Sequence, residues 1–209
     1  MLLLSNENLV AEKFDYQDLI KEMQLKTGYS YFKVRTMLKE LSRLIQGKIN
    51  KGYNVECDGI CKIYFTMTGQ VIIDDNYYGS ENQARDLAYK MEMDLITVRN
   101  FINNYYNIIK TKIEQGYQVN IKSVCYITPK VKDNHIYLAT RMSPQLTKPE
   151  IAEFVIFKNL HSSKSRIVSE IVDGKKLRLA MILNPDLKIP NRVFSKGSYE
   201  PEFVDISTI

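Results

Sequence analysis

Asn50–Phe65 reads NKGYNVECDGICKIYF, and 64 positions later Glu114–Pro129 reads EQGYQVNIKSVCYITP. Gly52 matches Gly116, Tyr53 matches Tyr117, Val55 matches Val119 and Cys61 matches Cys125. A glycine that stops a helix and leads into β-rich residues is the signature of a turn entering a strand, and here it occurs twice. Upstream of the first copy, Val34, Met37, Leu38, Leu41, Leu44, Ile45 and Ile49 recur at spacings of three and four. That spacing makes one apolar face on a helix of about four turns. Val98, Phe101, Ile102, Tyr105, Ile108, Ile109 and Ile113 repeat the face at the same offset, so the repeated unit is helix plus strand.

A shorter helix precedes each long one, carrying Leu19, Ile20 and Met23 in the first copy and Leu87, Ala88 and Met91 in the second. Matched on these residues the offset is 68, four more than that of the long helices, and the difference falls in the connection, QLKTGYSYFKV in the first copy and MEMDLITV in the second. Ser30 and Asp94 are the expected N-caps of the long helices. Each copy ends in a hairpin: KIYFTMTGQVII turns at Thr68 and Gly69, and CYITPKVKDNHIYLA turns around Asp133 and Asn134. DDNYYGSENQ (Asp74–Gln83) reads as a linker. Beyond MSPQLTKPEI the pattern is strand-like, with a two-residue turn at Asp173 and Gly174, and the last stretch holds three of the six prolines and reads as an extended arm. The expected organisation is α+β: a first unit over 1–73, a linker over 74–83, a second unit over 84–148, and a β-rich segment with an extended tail over 149–209.

With 44% hydrophobic and 25% charged residues in 209, the composition is that of a globular protein. No apolar run approaches the length of a membrane span, and MLLLSNENLV lacks the basic n-region of a secretory signal, so an unexported protein without a membrane partner is expected. Cys57, Cys61 and Cys125 are odd in number, which suits a reducing compartment. Cys57 and Cys61, four apart on one expected strand, share a face, which makes them either a metal half-site or small buried residues. With only His135 and His161 and no second cysteine pair, the buried reading is preferred and no metal or cofactor is expected. The net charge of +5 is scattered along the chain and by itself names no partner.

Asp18–Phe65, DLIKEMQLKTGYSYFKVRTMLKELSRLIQGKINKGYNVECDGICKIYF, resembles without a gap the first half of the bacterial HU and IHF histone-like proteins. In that family an E-L-I helix, a G-x-S turn, a long amphipathic helix, K-G and then V-x-L-x-G-F-G-x-F build an interleaved dimer. Leu19, Ile20, Gly28, Ser30, Gly52, Val55, Gly59 and Ile63 fall on that pattern. In the second copy Lys122 and Ser123 stand where the first has Asp58 and Gly59. The resemblance implies either a pseudo-dimer within one chain or copies that pair between chains. HU and IHF grip DNA with long basic β-arms tipped by a proline wedge. Here the arm positions hold TMTGQ, without a basic residue, and PKVKDN, with Lys130 and Lys132 but no arginine and no tip proline. Residual duplex contact would fall to the body residues Lys48, Lys51, Arg85, Lys110 and Lys112. In architecture, armless double HU-like units with an added β segment resemble the ring proteins in the neck and tail barrel of crAss-like bacteriophages.

No phosphate loop, nucleophile elbow or zinc-protease motif is present, and His161 among Ser162, Ser163 and Ser165 reads as a polar loop, so an enzyme is not expected. Tyr77, Tyr78 and Tyr106 are expected to face a partner subunit, as are Tyr199 and Phe203 of the tail. Two readings follow. In the first, the protein is a virion structural subunit that meets copies of itself in a ring and other virion proteins. The second is an HU-type architectural duplex-DNA-binding protein of the bacterial cytoplasm or nucleoid.

Overall fold

The computed structural model describes residues 11–67, 70–71, 77–132, 135–146, 154–157, 169–172, 175–184 and 186–187. Strand β1 (Lys13–Phe14), helices α1 (Tyr16–Thr27) and α2 (Tyr31–Ile49), and strands β2 (Asn54–Cys57), β3 (Cys61–Met67) and β4 (Gln70–Val71) form the first half. The second half is β5 (Tyr77–Tyr78), α3 (Ser80–Met91), α4 (Leu95–Glu114), β6 (Gln118–Ile121), β7 (Cys125–Lys132) and β8 (His135–Met142). A one-turn 3-10 helix (Pro144–Leu146) and strands β9 (Phe154–Phe157), β10 (Ser169–Val172) and β11 (Lys175–Leu183) complete the described chain. The protein is thus α+β, with four α-helices and two sheets among the described residues, and no described helix is long and apolar enough to cross a membrane.

The two halves are in step at an offset of 64 from β1 onward, which corrects the offset of 68 read for the short helices. Leu19, Ile20 and Met23 correspond to Gln83, Ala84 and Leu87, all buried. The turns between helices are equal in length: Gly28 at φ 70 is matched by Glu92 at φ 51, and the N-caps Ser30 and Asp94 accept from Lys33 N and Thr97 N. The polar Gln83 hid the register. It is fully buried, and its amide hydrogen bonds cover the cost of burying it.

The two halves pair within the chain. β1 runs parallel to β6 (Phe14↔Val119) and β5 runs parallel to β2 (Tyr78↔Val55), so each half lends its first strand to the other half's sheet. Helix α1 packs on α4 as well as on α2, and α3 packs on α2 as well as on α4. Phe14, Ile45, Val55, Phe101, Ile109 and Val119 all belong to one continuous buried cluster. A helix pair over a half-sheet leaves its apolar face bare, and this exchange buries both faces at once. The expected linker 74–83 is therefore structural in its described part: Tyr77–Tyr78 is a sheet strand and Ser80–Gln83 opens α3.

Cys57 and Cys61 lie on two strands, not one. They face each other in register as the last residue of β2 and the first of β3, across the turn Asp58–Gly59–Ile60. Gly59 has φ 68, and Ser123 takes the same left-handed conformation (φ 62) in the second half, at a cost of about 1 kcal/mol for a residue with a Cβ. Hairpin β7–β8 pairs from Cys125↔Met142 to Lys132↔His135, and β3–β4 closes at Met67↔Gln70. Both turns fall where the sequence places them.

The C-terminal segment, read as an appended unit, is built into the first half's sheet. β11 lies antiparallel along β3 from Leu183↔Cys61 to Leu177↔Met67, occupying beside β3 the place that β8 holds beside β7. On its other edge β11 pairs with β9 in parallel and with β10 in a hairpin. The mimicry extends past the strands: Ser143 N donates to Val124 O at 2.9 Å and Asn184 N donates to Ile60 O at 2.7 Å, while Leu146 N and Leu187 N close matching turns. The sequence echoes it as Met142-Ser143-Pro144-Gln145-Leu146 and Leu183-Asn184-Pro185-Asp186-Leu187.

Candidate functional site

Several expected surface residues are structural joints between the halves. Lys48 Nζ lies 3.5 Å from Asp86 Oδ2 and 4.7 Å from the ring centroids of both Tyr53 and Tyr78. At the matching positions, Lys112 Nζ lies 2.6 Å from Glu22 Oε1, with Phe14 at 5.0 Å and Tyr117 at 5.4 Å. Each lysine of a long helix thus reaches a carboxylate on the other half's short helix and passes over two aromatic faces. Lys48 and Lys112 therefore each join the two halves, a role that the sequence could not supply because the partners lie in the opposite half.

Tyr78 is buried at 1% exposure, not turned to a partner. Its hydroxyl makes no well-formed hydrogen bond, and the nearest group that could accept one is the Asp86 carboxylate. Burial first, and the nearby Asp86 carboxylate second, drive its ionisation far above the ordinary tyrosine value. The matching residue, Phe14, carries no hydroxyl. Tyr78→Phe is therefore expected to change stability by less than about 1 kcal/mol, because the hydroxyl it deletes is buried and has at best a poorly formed bond to Asp86. A loss of more than about 1 kcal/mol in denaturant unfolding would show that the hydroxyl has a partner.

Tyr106, also expected to face a partner, is buried at 2% exposure. Its hydroxyl donates to Gln83 Oε1 at 2.7 Å, and Gln83 Nε2 donates to Glu56 O at 2.8 Å. The three cysteines gather beside this pair. A hydrogen bond with Cys61 and burial push the Cys57 thiol up, and a hydrogen bond with Cys125 and burial push the Cys61 thiol up, offset in part by Cys57. The Cys57 and Cys61 thiols stay protonated, the form that neither attacks nor ligates. Among the described residues no cluster of histidine, cysteine or carboxylate side chains is arranged to hold a metal ion.

Of the remaining expected DNA contacts, Lys51, Arg85 and Lys130 are exposed, whereas Lys110 is half-buried, its Cδ at 3.6 Å from where a Gly59 Cβ would stand. Lys132 occupies the hairpin, its side chain outside the described residues, as are Tyr199 and Phe203 entirely. Tyr77 stays 43% exposed, its ring over Gly79.

The concentrated positive surface lies elsewhere. Arg35, Lys39 and Arg43 stand four apart on the exposed face of α2, and the β6–β7 turn of the other half brings Lys122 to them. Burial lowers the Lys122 ammonium pKa, and the charges of Arg35, Lys39 and Arg43 lower it further, so four cations share one field. Lys122 Nζ sits 4.2 Å from the Tyr16 ring centroid, and Arg43 also pairs with Glu40 at 2.7 Å. The corresponding surface of the other half carries Arg99, Asn103, Asn107 and Asp58, with Arg99 already bound to Glu81 through two bonds of 2.9 and 2.7 Å. The charge is therefore one-sided. The spacing of Arg35, Lys39 and Arg43 on a helix is a signal in the sequence, but the arrival of Lys122 is not. Compared with family models and with curated proteins, the chain matches none.

Proposed function

We propose that the protein is a structural subunit that works through protein–protein assembly, as a ring or neck–tail component of a bacteriophage virion. The observation that carries this reading is the shortness of both hairpins. β3–β4 closes at Met67↔Gln70 and β7–β8 at Lys132↔His135, so toward the tips the described hairpins carry Lys130 and Lys132 but no long run of arginine and lysine to follow a groove. A chain that forms its own pseudo-dimer, resembling HU in its turn-helix-glycine core, supports use of the fold for its shape. Two of the lysines expected to touch DNA, Lys48 and Lys112, also join the halves.

A second reading, a duplex-DNA-binding architectural protein, is favoured by one specific observation, the Arg35, Lys39, Arg43 and Lys122 surface. Binding of a random-sequence duplex to the purified full chain, followed as a function of salt, separates the two. The structural reading expects little binding even at low salt. A log–log slope of several units would overturn it, provided that Arg35→Gln/Lys39→Gln/Arg43→Gln lowers that slope by about 0.9 per lost phosphate contact.

A further inference from the structure

Four of the five large hydrophobic side chains exposed among the described residues fall into two matching pairs. Leu25 (85% exposed) and Phe32 (74%) flank the α1–α2 turn, and Tyr89 (89%) and Ile96 (63%) flank the α3–α4 turn. The pairs correspond at the offset of 64. Lone exposed apolar residues need no explanation, but a pair repeated at both related turns marks a contact surface.

The two turns belong to one face of the molecule. Tyr29 of the first turn stacks on Phe101 of α4, with ring centroids 6.5 Å apart. Lys26, Thr27 and Tyr29 line one cleft of about 430 Å³ together with Thr97, in the first turn of α4 beside Ile96. The charges around the apolar pairs are opposite. The first turn exposes Lys26 and Lys33, with Lys33 3.9 Å from the Tyr29 ring centroid, while the second exposes Glu92 and Asp94 beside the single Lys90.

We propose that this face binds the same face of a second copy of the chain, Leu25, Phe32 and the basic first turn of each copy meeting Tyr89, Ile96 and the acidic second turn of the other. Because one face carries both complementary turns, a two-fold arrangement satisfies both contacts at once, the isologous geometry in which each surface patch sees its complement. Electrostatic complementarity fixes the register and the apolar side chains supply the contact area. The inference rests on the assembly reading above and names one surface through which copies pair, a two-fold contact that a ring would combine with a separate head-to-tail one.

Sedimentation velocity over a concentration series of the full chain tests it, using two surface variants that leave the core untouched. Lys26→Glu/Lys33→Glu makes both turns acidic and Glu92→Lys makes the second turn basic. Each alone should weaken self-association by at least about tenfold, since like charges then meet across the contact. An equimolar mixture restores opposite charges at both contacts and should recover to within about threefold of the wild type. Variants that associate as the wild type does, or a mixture that fails to recover, would overturn this surface while the assembly reading stands. A wild-type chain that remains monomeric throughout the series would overturn both.

Discussion

A stop codon at Lys175 is expected to leave a chain that no longer unfolds in a cooperative transition. The truncation strips seven register partners from β3, from Leu183↔Cys61 to Leu177↔Met67. It also removes Met181 and Leu183 from the core, where they are 1% and 6% exposed, and the Asn184 bonds to Ile60 O and Gly59 O at 2.7 and 2.8 Å. Two large buried side chains alone are worth about 2–5 kcal/mol each. With a sheet ladder lost as well, the deficit approaches the whole stability of a domain of this size, about 5–15 kcal/mol. Thermal unfolding followed by circular dichroism is the check. A melting temperature within a few degrees of the full chain would mean that β11 is not an integral strand. A stop at Tyr199, which spares β11, should by contrast keep the transition and report on the tail's part in assembly.

Lys112→Glu is the second large effect. It sets a carboxylate against Glu22, replacing a contact of 2.6 Å between groups that are 18% and 36% exposed, and turns a cation over the faces of Phe14 and Tyr117 into an anion that the rings repel. A fully buried pair broken this way costs about 3–5 kcal/mol and a surface pair under about 1. Partial exposure places this one at about 2 kcal/mol. Adding Glu22→Lys in the same chain restores opposite charges, and a double-mutant cycle in denaturant should return a coupling of about 1 kcal/mol or more. Lys48→Glu, across the longer and wetter pair with Asp86 at 3.5 Å, should cost less. A Lys112→Glu loss below about 0.5 kcal/mol would show that the joint is only a solvated ion pair.

The long helices and the strands after them were legible because their signals are local. Gly52 and Gly116, at φ 82 and 88, require the left-handed conformation that ends a helix, and the stripes ending at Ile49 and Ile113 declare their helices by period alone. What failed depended on distant partners. Gln83 read as the end of a linker because the groups it bonds, the Tyr106 hydroxyl and the Glu56 carbonyl, are distant in sequence, and its polarity shifted the apparent register of α3 by one helical turn. Lys48 and Lys112 looked like free cations because Asp86 and Glu22 sit in the opposite copy. Tyr78 and Tyr106 looked like interface aromatics because the strand exchange that buries them has no signature within a ten-residue window. The role of β11 was hidden in the same way: the Ser143-Pro144 and Asn184-Pro185 echo is in the sequence, but strand pairing across 120 or so residues is not.

That last separation has a temporal meaning during synthesis. β3 leaves the ribosome with one edge open, and the strand that covers it is translated about 120 residues later. At about 5–20 residues per second the wait is roughly 6–24 s, far longer than the microseconds in which a hairpin forms. The nascent first half therefore spends that interval with a bare strand edge able to recruit any passing strand. Yield in the cell should depend on elongation rate and on holding chaperones more than the stability of the finished fold suggests.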